Sequence, residues 1–132
     1  MEPVTDRGAY VSRLIGTPWT RRRHCWFLVS LVQRDLFNRR LPNGVHIVDE
    51  AERSTVLSTH AEHQNWRAVE VPCDGAIGLM SRGARLHIHS GVFLSLDGGG
   101  CLHTDDPHGV VFDSLLDLAA RGWRADWYAP RA

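Results

Sequence analysis

The hydrophobic pattern of this chain changes its period near Trp66, and this change limits the fold more than any other feature of the sequence. Before Trp66, apolar residues recur at helical spacing. After it, short apolar runs are separated by Gly, Asp and Pro, as in an antiparallel meander. Helices followed by a series of short strands are typical of an α+β domain. The sequence therefore predicts an α+β fold in which N-terminal helices pack on an antiparallel β-sheet.

Three helices are predicted before the change of period. Residues 5–15 carry apolar side chains at helical spacing, and Gly16 then ends the helix. Residues 25–38 are apolar on nearly every side at first and charged only toward the end, as expected of a helix whose N-terminal half is buried. Residues 48–63 have a weaker amphipathic pattern.

After the change of period near Trp66, the sequence predicts short strands, one more helix and a last strand. The first strands cover residues 69–72, 76–80, 84–96 and 100–104. The glycines at 98–100 favour a hairpin between the last two of these, because glycine adopts positive φ without strain. Beyond the hairpin, Asp113 or Ser114 would cap a helix that runs to Arg121. Residues 122–130 are consistent with a final strand.

Composition narrows the class of protein. A chain of 132 residues with 43% apolar and 23% charged residues suits one domain, spanning 1–132, with a packed core. Fifteen basic residues balance fifteen acidic ones, which argues against a protein that mainly binds phosphate backbones. No apolar stretch approaches the roughly 20 residues of a transmembrane helix, and the N-terminal residues lack a signal-peptide pattern. We therefore expect neither nucleic acid nor membrane insertion.

The three cysteines are Cys25, Cys73 and Cys101, an odd number at wide spacing that does not suggest a disulfide framework. Cys25 opens a predicted helix shortly after Arg21–Arg23. The positive end of a helix dipole and nearby positive charge both favour a thiolate. Cys25 is therefore the candidate nucleophile, with a small buried core residue as the alternative interpretation. Cys73 and Cys101 are expected to be buried structural thiols.

Histidines on the predicted strands are candidate partners for such a thiol. His87 and His89 are two residues apart, as are Cys101 and His103, so each pair shares one face of its strand. If the hairpin pairs in register, the two pairs face each other. Three interpretations stay open: a catalytic relay with Cys25, a metal site made by the four strand residues, or histidines on a solvent-exposed face. His87 is a rival to His89 as the base.

Several segments, in this order along the chain, carry a family likeness. They are Gly16-Thr17-Pro18-Trp19, Cys25-Trp26-Phe27-Leu28-Val29, Leu41-Pro42, Pro72 to Met80, His89-Ser90-Gly91-Val92-Phe93-Leu94, Leu102-His103-Thr104 and Gly109-Val110-Val111. Together they resemble the NlpC/P60 cysteine peptidases, and most closely the variety found in phage tails. The resemblance covers about residues 8–115.

The resemblance implies a circularly permuted papain-like fold, with helices packed on an antiparallel sheet. It implies that Cys25 is the nucleophile, His89 its general base, and His103 the group that orients the His89 ring. The implied reaction is hydrolysis of peptide bonds in peptidoglycan stem peptides, without a cofactor or a metal. The implied partners are the stem peptide and other phage-tail proteins. The implied location is the virion tail, or the periplasm and cell wall after delivery by a larger assembly.

Four features depart from the family pattern, and in one of them Trp26 and Phe27 take positions after the Cys that small residues often occupy. His24 stands where an acidic residue usually precedes the Cys, Trp19 replaces a Tyr, and Arg21–Arg23 replace a small Gly-rich loop. These changes leave the three implied catalytic positions intact but alter the rim of the cleft. They give the alternative of a weak or inactive structural tail-tip or assembly protein that retains the fold.

Overall fold

The computed structural model describes residues 6–18, 25–41, 66–83, 89–105 and 108–130. Its helices are α1 (Arg7–Leu14), α2 (Cys25–Phe37) and α3 (Leu115–Ala120). Its strands are β1 (Trp66–Val69), β2 (Ile77–Ser81), β3 (His89–Leu94), β4 (Gly100–Asp105), β5 (Gly109–Asp113) and β6 (Arg124–Pro130).

The helices that the structure describes lie where the sequence predicts them. α1 and α2 fall within their predicted ranges, which confirms both. Of the two caps considered for α3, Ser114 is the one used, because its hydroxyl accepts a hydrogen bond from the Asp117 N–H at 3.1 Å. Asp113 instead ends β5. The predicted helix at 48–63 lies outside the described residues.

The first strand lies earlier than the sequence pattern predicts. β1 is Trp66–Val69, and the predicted range 69–72 is wrong except for its first residue. Trp66 is buried in the core and pairs with Pro130 of β6, so the strand is anchored at that end. Val71 is 79% exposed, and Pro72 has no N–H to donate to a ladder. The apolar alternation at 69–72 thus belongs mostly to a loop.

The strand predicted at 84–96 is shorter, because β3 ends at Leu94. Asp97 and Gly98 then take positive φ angles of 51° and 86°, and the chain turns back into β4. The predicted hairpin between these strands is confirmed by their antiparallel pairing. Residues 84–88 lie outside the described residues.

The described strands form one sheet in the order β1-β6-β2-β3-β4-β5. Every pair of neighbours in this sheet is antiparallel. The predicted α+β architecture with helices on an antiparallel sheet is therefore confirmed. The C-terminal strand β6 lies inside the sheet, between β1 and β2, so the last part of the chain belongs to the core.

The two faces of the sheet carry separate cores, because successive side chains of a strand point to opposite faces. Val92 and Leu102 pack with α1 and α2 on one face, which we call the helix face. Cys101 and Trp127 pack with Leu118 of α3 on the other, which we call the α3 face. Neighbouring residues of β4 therefore contribute to different cores.

Helix α2 lies along β3. Near its C-terminal end, Gln33 donates a hydrogen bond of 2.8 Å to the Gly75 carbonyl, and Gly75 is itself bonded to the end of β3. Near its N-terminal end, Leu28 lines the same cavity as Thr104 of β4. Cys25, the first residue of α2, is therefore directed toward the end of the sheet where β3 begins.

Candidate active site

Two imidazoles and a carboxylate form a hydrogen-bonded chain across β3, β4 and β5. His89 Nε2 lies 2.9 Å from His103 Nδ1, and His103 Nε2 lies 2.8 Å from Asp113 Oδ2. Arg121 Nε donates to the same Asp113 oxygen at 2.9 Å. The His103 side chain is fully buried and that of Asp113 is 7% exposed, so water does not compete for the inner bonds. We call these three residues, His89, His103 and Asp113, the relay.

The strand register brings the relay together on the α3 face. Gly91 of β3 stands opposite His103 of β4, and Cys101 stands opposite Asp113 of β5. A Cβ atom at Gly91 would lie 2.6 Å from Cys101 Sγ and 3.0 Å from His103 Cβ. The glycine two residues after His89 therefore leaves the space that the His103 side chain occupies.

Asp113 determines which nitrogen of each ring carries a proton. A carboxylate only accepts hydrogen bonds, so His103 Nε2 donates to Asp113. In neutral His103 the Nδ1 atom then accepts, and His89 Nε2 is the donor to it. The basic nitrogen of neutral His89 is consequently Nδ1. The relay thus directs one defined lone pair of His89 away from His103.

The electrostatics of His103 agree with this assignment. Burial lowers the pKa of His103 below its ordinary value, and this effect outweighs the hydrogen bond and negative charge of Asp113, which raise it. His103 is therefore neutral near pH 7 and accepts at Nδ1, while Asp113 keeps the ring in a fixed orientation.

Trp123 covers the first ring of the relay. Its ring stacks on His89 with centroids 4.6 Å apart and an interplanar angle of 25°. The Arg82 guanidinium lies 3.9 Å from the centroid of the Trp123 ring. His89 is 7% exposed as a result of this packing. The stack keeps water from the His89–His103 hydrogen bond and limits rotation of the His89 ring.

Cys25 is placed at the first residue of α2 and is 2% exposed. Its thiol is free, with no disulfide to another described cysteine. α2 packs on the helix face, whereas His89 and His103 belong to the α3 face. The structure brings His89 and His103 together as expected and directs Cys25 to the same end of the sheet.

The other two cysteines differ from each other. Cys101 is fully buried, as expected, and burial together with the charge of Asp113 raises the pKa of its thiol, which makes it a poor nucleophile. The expectation of a buried Cys73 is wrong, because Cys73 is exposed in the loop between β1 and β2. The sequence pattern predicts a strand at 69–72, directly before Cys73. In the structure β1 ends at Val69, so Cys73 lies in the loop that follows it.

A metal site on the same residues conflicts with the hydrogen bonds. Both ring nitrogens of His103 are engaged, so a metal would have to displace either His89 or Asp113. Among the described residues, no group of three or more His, Cys, Asp and Glu side chains is arranged to hold a metal ion. His87 lies outside these residues, and its rivalry with His89 as the base stays open. The departures at residues 19–24 also lie outside them.

Three residues of the site were not found from the sequence. Asp113 suggests only a helix cap in the linear pattern, and Arg121 ends and Trp123 follows a predicted helix without an evident partner. The available signal was the spacing in β5, where Val111 and Asp113 share the face of His103. Reading that strand to its end would have placed a carboxylate beside the predicted histidine.

Comparisons with known proteins add no assignment: no family model matches the chain, and no curated protein matches it. In the segments that the structure describes, no helix is long and apolar enough to cross a membrane.

Proposed function

We propose that this protein is a cysteine peptidase of the NlpC/P60 type, with a papain-like fold, that hydrolyses peptide bonds in peptidoglycan stem peptides as a component of a phage or phage-like tail. The observation that carries the proposal is the buried relay of His89, His103 and Asp113. A thiol at the start of a helix that packs beside the first relay strand supports it further.

The relay suits the proton transfers of a thiol peptidase. His89 Nδ1 takes the proton of the Cys25 thiol, and the thiolate attacks the carbonyl carbon of the scissile amide. The resulting imidazolium returns its proton to the departing amine, which leaves a thioester on Cys25. Water, activated by the same His89 nitrogen, then hydrolyses the thioester and regenerates the thiol. His103 and Asp113 stabilise the positive charge on His89 during both steps.

The oxyanion formed by this attack needs hydrogen-bond donors. The backbone N–H groups in the first turn of a helix have no partners within the helix. Those at the start of α2 lie beside Cys25, where the carbonyl oxygen of the substrate would develop its charge. Because α2 packs on the helix face and His89 belongs to the α3 face, the proposal requires the Cys25 thiol and His89 Nδ1 to meet around the end of the sheet where β3 begins when substrate binds.

The first experiment is the rate of Cys25 alkylation by iodoacetamide as a function of pH. A Cys73→Ser background removes the exposed thiol, and the raised pKa of Cys101 makes that thiol a poor nucleophile. We expect an apparent pKa well below the free-thiol value of about 8.5, and loss of this shift in His89→Ala. If Cys25 is unreactive, or titrates as an ordinary thiol with and without His89, the peptidase proposal fails.

The substrate is tested separately with purified stem peptides and intact cell walls. We expect cleavage by the wild type and by Cys73→Ser, and none by Cys25→Ala. Cys73→Ser is the matched control because it also removes a thiol, but one in the exposed loop between β1 and β2. Cleavage that persists in Cys25→Ala would assign the activity to other residues.

The second candidate is a structural tail-tip or assembly protein that keeps the fold without activity. The observation that favours it is that Cys25 begins a helix packed on the helix face, whereas His89 and His103 belong to the α3 face. In a phage that encodes the protein, Cys25→Ala separates the two functions. Unchanged infectivity supports the structural candidate, whereas defective cell-wall penetration by normally assembled tails supports the peptidase.

A further inference from the structure

A groove of about 510 Å³ lies between the outer surface of α2 and residues 38–41. Its wall combines three arginines with apolar side chains, namely Arg34, Arg39, Arg40, Phe27, Leu31 and Leu41. We call it the basic groove. We propose that the basic groove binds an acidic peptide segment of a partner protein, in which carboxylates alternate with apolar side chains. This binding is independent of the peptidase proposal, because no relay residue lines the groove.

The charge of the groove is unbalanced. Arg34, Arg39 and Arg40 line it, and no acidic residue is among its described lining residues. The adjacent acid on α2, Asp35, accepts hydrogen bonds from Tyr10 Oη at 2.7 Å and from Arg34 Nε at 2.9 Å. Asp35 thus pairs with Arg34, which leaves Arg39 and Arg40 as the groove cations without an ion pair among the described residues. An anionic ligand supplies the charge that the groove lacks.

Arg39 is held in place as a receptor for a carboxylate. Its Nη1 donates to Gln33 Oε1 at 2.9 Å and to the Gly75 carbonyl at 3.2 Å. Its guanidinium also lies 4.9 Å from the Phe37 ring centroid and 5.5 Å from that of Trp66. These bonds use one nitrogen, so within the described chain the edge formed by Nε and Nη2 carries no hydrogen bond. A carboxylate fits such an edge with two parallel bonds.

Partial burial strengthens the attraction between the Arg39 guanidinium and an anion. Desolvation lowers the pKa of Arg39, although the charges of Cys73 and Asp74 partly oppose this. A partly desolvated cation gains more from a nearby negative charge than a fully solvated one does. Because Arg39 is already fixed by hydrogen bonds and aromatic rings, little side-chain entropy is lost when the ligand binds.

The other side chains that line the groove determine which groups of the ligand fit next to its carboxylate. Arg40 is exposed and lines the groove, so a ligand in the groove can reach its guanidinium. Phe27 is 43% exposed, and Leu31 and Leu41 are partly buried beside it. Apolar contacts next to arginines favour a peptide with apolar and acidic side chains over a nucleic acid, whose backbone offers only phosphate and sugar to such a surface.

The test is isothermal titration calorimetry on the full-length chain carrying Cys25→Ala, which prevents cleavage of the probe. The probe is acetyl-Leu-Glu-Leu-Glu-Leu-amide, and its twin carries Gln at both Glu positions. We expect the Glu peptide to bind about tenfold more tightly than the Gln twin, since hydrogen bonds to charged groups are the stronger ones. Raising the salt concentration from about 0.05 to 0.5 M should weaken only the Glu peptide.

Variants locate the binding on the molecule. Arg40→Gln should weaken the Glu peptide about threefold or more, and Arg39→Gln should weaken it further. Arg124→Gln on β6 removes the same charge from an exposed site outside the groove and should leave the affinity unchanged. Because Arg40 is exposed, its variant tests the proposal even if Arg39→Gln unfolds. Equal affinity for the two peptides, equal losses in Arg40→Gln and Arg124→Gln, or no binding at millimolar peptide would overturn the proposal.

Discussion

His103 connects a base to an acid through its two ring nitrogens, and this position explains why a histidine is needed there. One nitrogen donates to Asp113 while the other accepts from His89. A side chain with a single polar atom would leave one of these partners unsatisfied in a buried site. At the scale of single residues, the relay is therefore a set of mutually dependent hydrogen bonds, and its members should not be independent in mutational tests.

Replacing Asp113 tests the direction of the relay. Asp113→Asn removes the negative charge that stabilises the proton on His89 during the reaction. We expect peptide hydrolysis to fall about 10- to 100-fold, the range seen for carboxylates that orient metal-bound histidines in the same way. The apparent pKa for Cys25 alkylation should move up toward the ordinary thiol value. Asp117→Asn on the exposed side of α3 is the matched control. Wild-type rates and an unchanged alkylation profile in Asp113→Asn would remove Asp113 from the relay.

Stability should depend on pH through His103. Its pKa is lowered in the folded state by burial, so between that pKa and the unfolded value of about 6.5 the unfolded chain binds more protons. The stabilising contribution of neutral His103 is complete above about pH 6.5 and is lost as the pH falls toward the folded-state pKa. Urea unfolding at a series of pH values measures this slope. His103→Gln should have a flatter slope than the wild type, and parallel curves would contradict the assignment.

At the scale of elements, the sequence predicted the described helices and the alternation of most strands, because both depend on local periodicity. It did not predict how β3, β4 and β5 align, since register depends on contacts between segments distant along the chain. The role of Asp113 follows from that alignment and was missed for this reason. The exposed Cys73 was missed because residues 69–72 alternate like a strand but belong mostly to a loop.

The pairing of β3 with β4 leaves no room for a side chain at Gly91. In Gly91→Ala the new Cβ would clash with Cys101 Sγ, with the Leu102 carbonyl and with His103 Cβ. We expect a loss of about 1–3 kcal/mol in the free energy of unfolding, the usual effect of overpacking. Adding Cys101→Ala should recover part of this loss, because it removes the nearest atom. Chemical denaturation of the single and double variants measures both effects. Strict additivity of the two substitutions would show that the clash is not the cause.

At the scale of the whole molecule, the sheet separates two tasks. The helix face supplies most of the apolar core and positions α2, whereas the α3 face contains the relay. The elements that enclose the relay come late in the chain, since α3 precedes Arg121 and Trp123, and β6 follows them into the middle of the sheet. The completed site therefore depends on the C-terminal segment having folded against strands formed by the middle of the chain.

Trp123 is the contact through which this late segment acts on the relay. Its ring stacks on His89, and its indole Nε1 is buried without a hydrogen-bond partner in the described structure, so Trp123→Phe loses no hydrogen bond. We expect Trp123→Phe to keep most of the activity, because an aromatic ring still covers His89. Trp123→Ala should admit water to the His89–His103 hydrogen bond and lower hydrolysis about tenfold.

Trp123→Ala and Trp123→Phe also distinguish the loss of the ring that covers His89 from a loss of folding. The pH profile of Cys25 alkylation reports on His89 directly, and the far-ultraviolet circular dichroism spectrum reports on whether each variant is folded. In folded Trp123→Ala the apparent pKa of Cys25 alkylation should rise toward about 8.5, while Trp123→Phe should keep the wild-type profile. Arg82→Gln removes the guanidinium from Trp123 but leaves the stack, and should resemble Trp123→Phe. If folded Trp123→Ala retains both the wild-type profile and full activity, Trp123 packs beside the relay without acting on it.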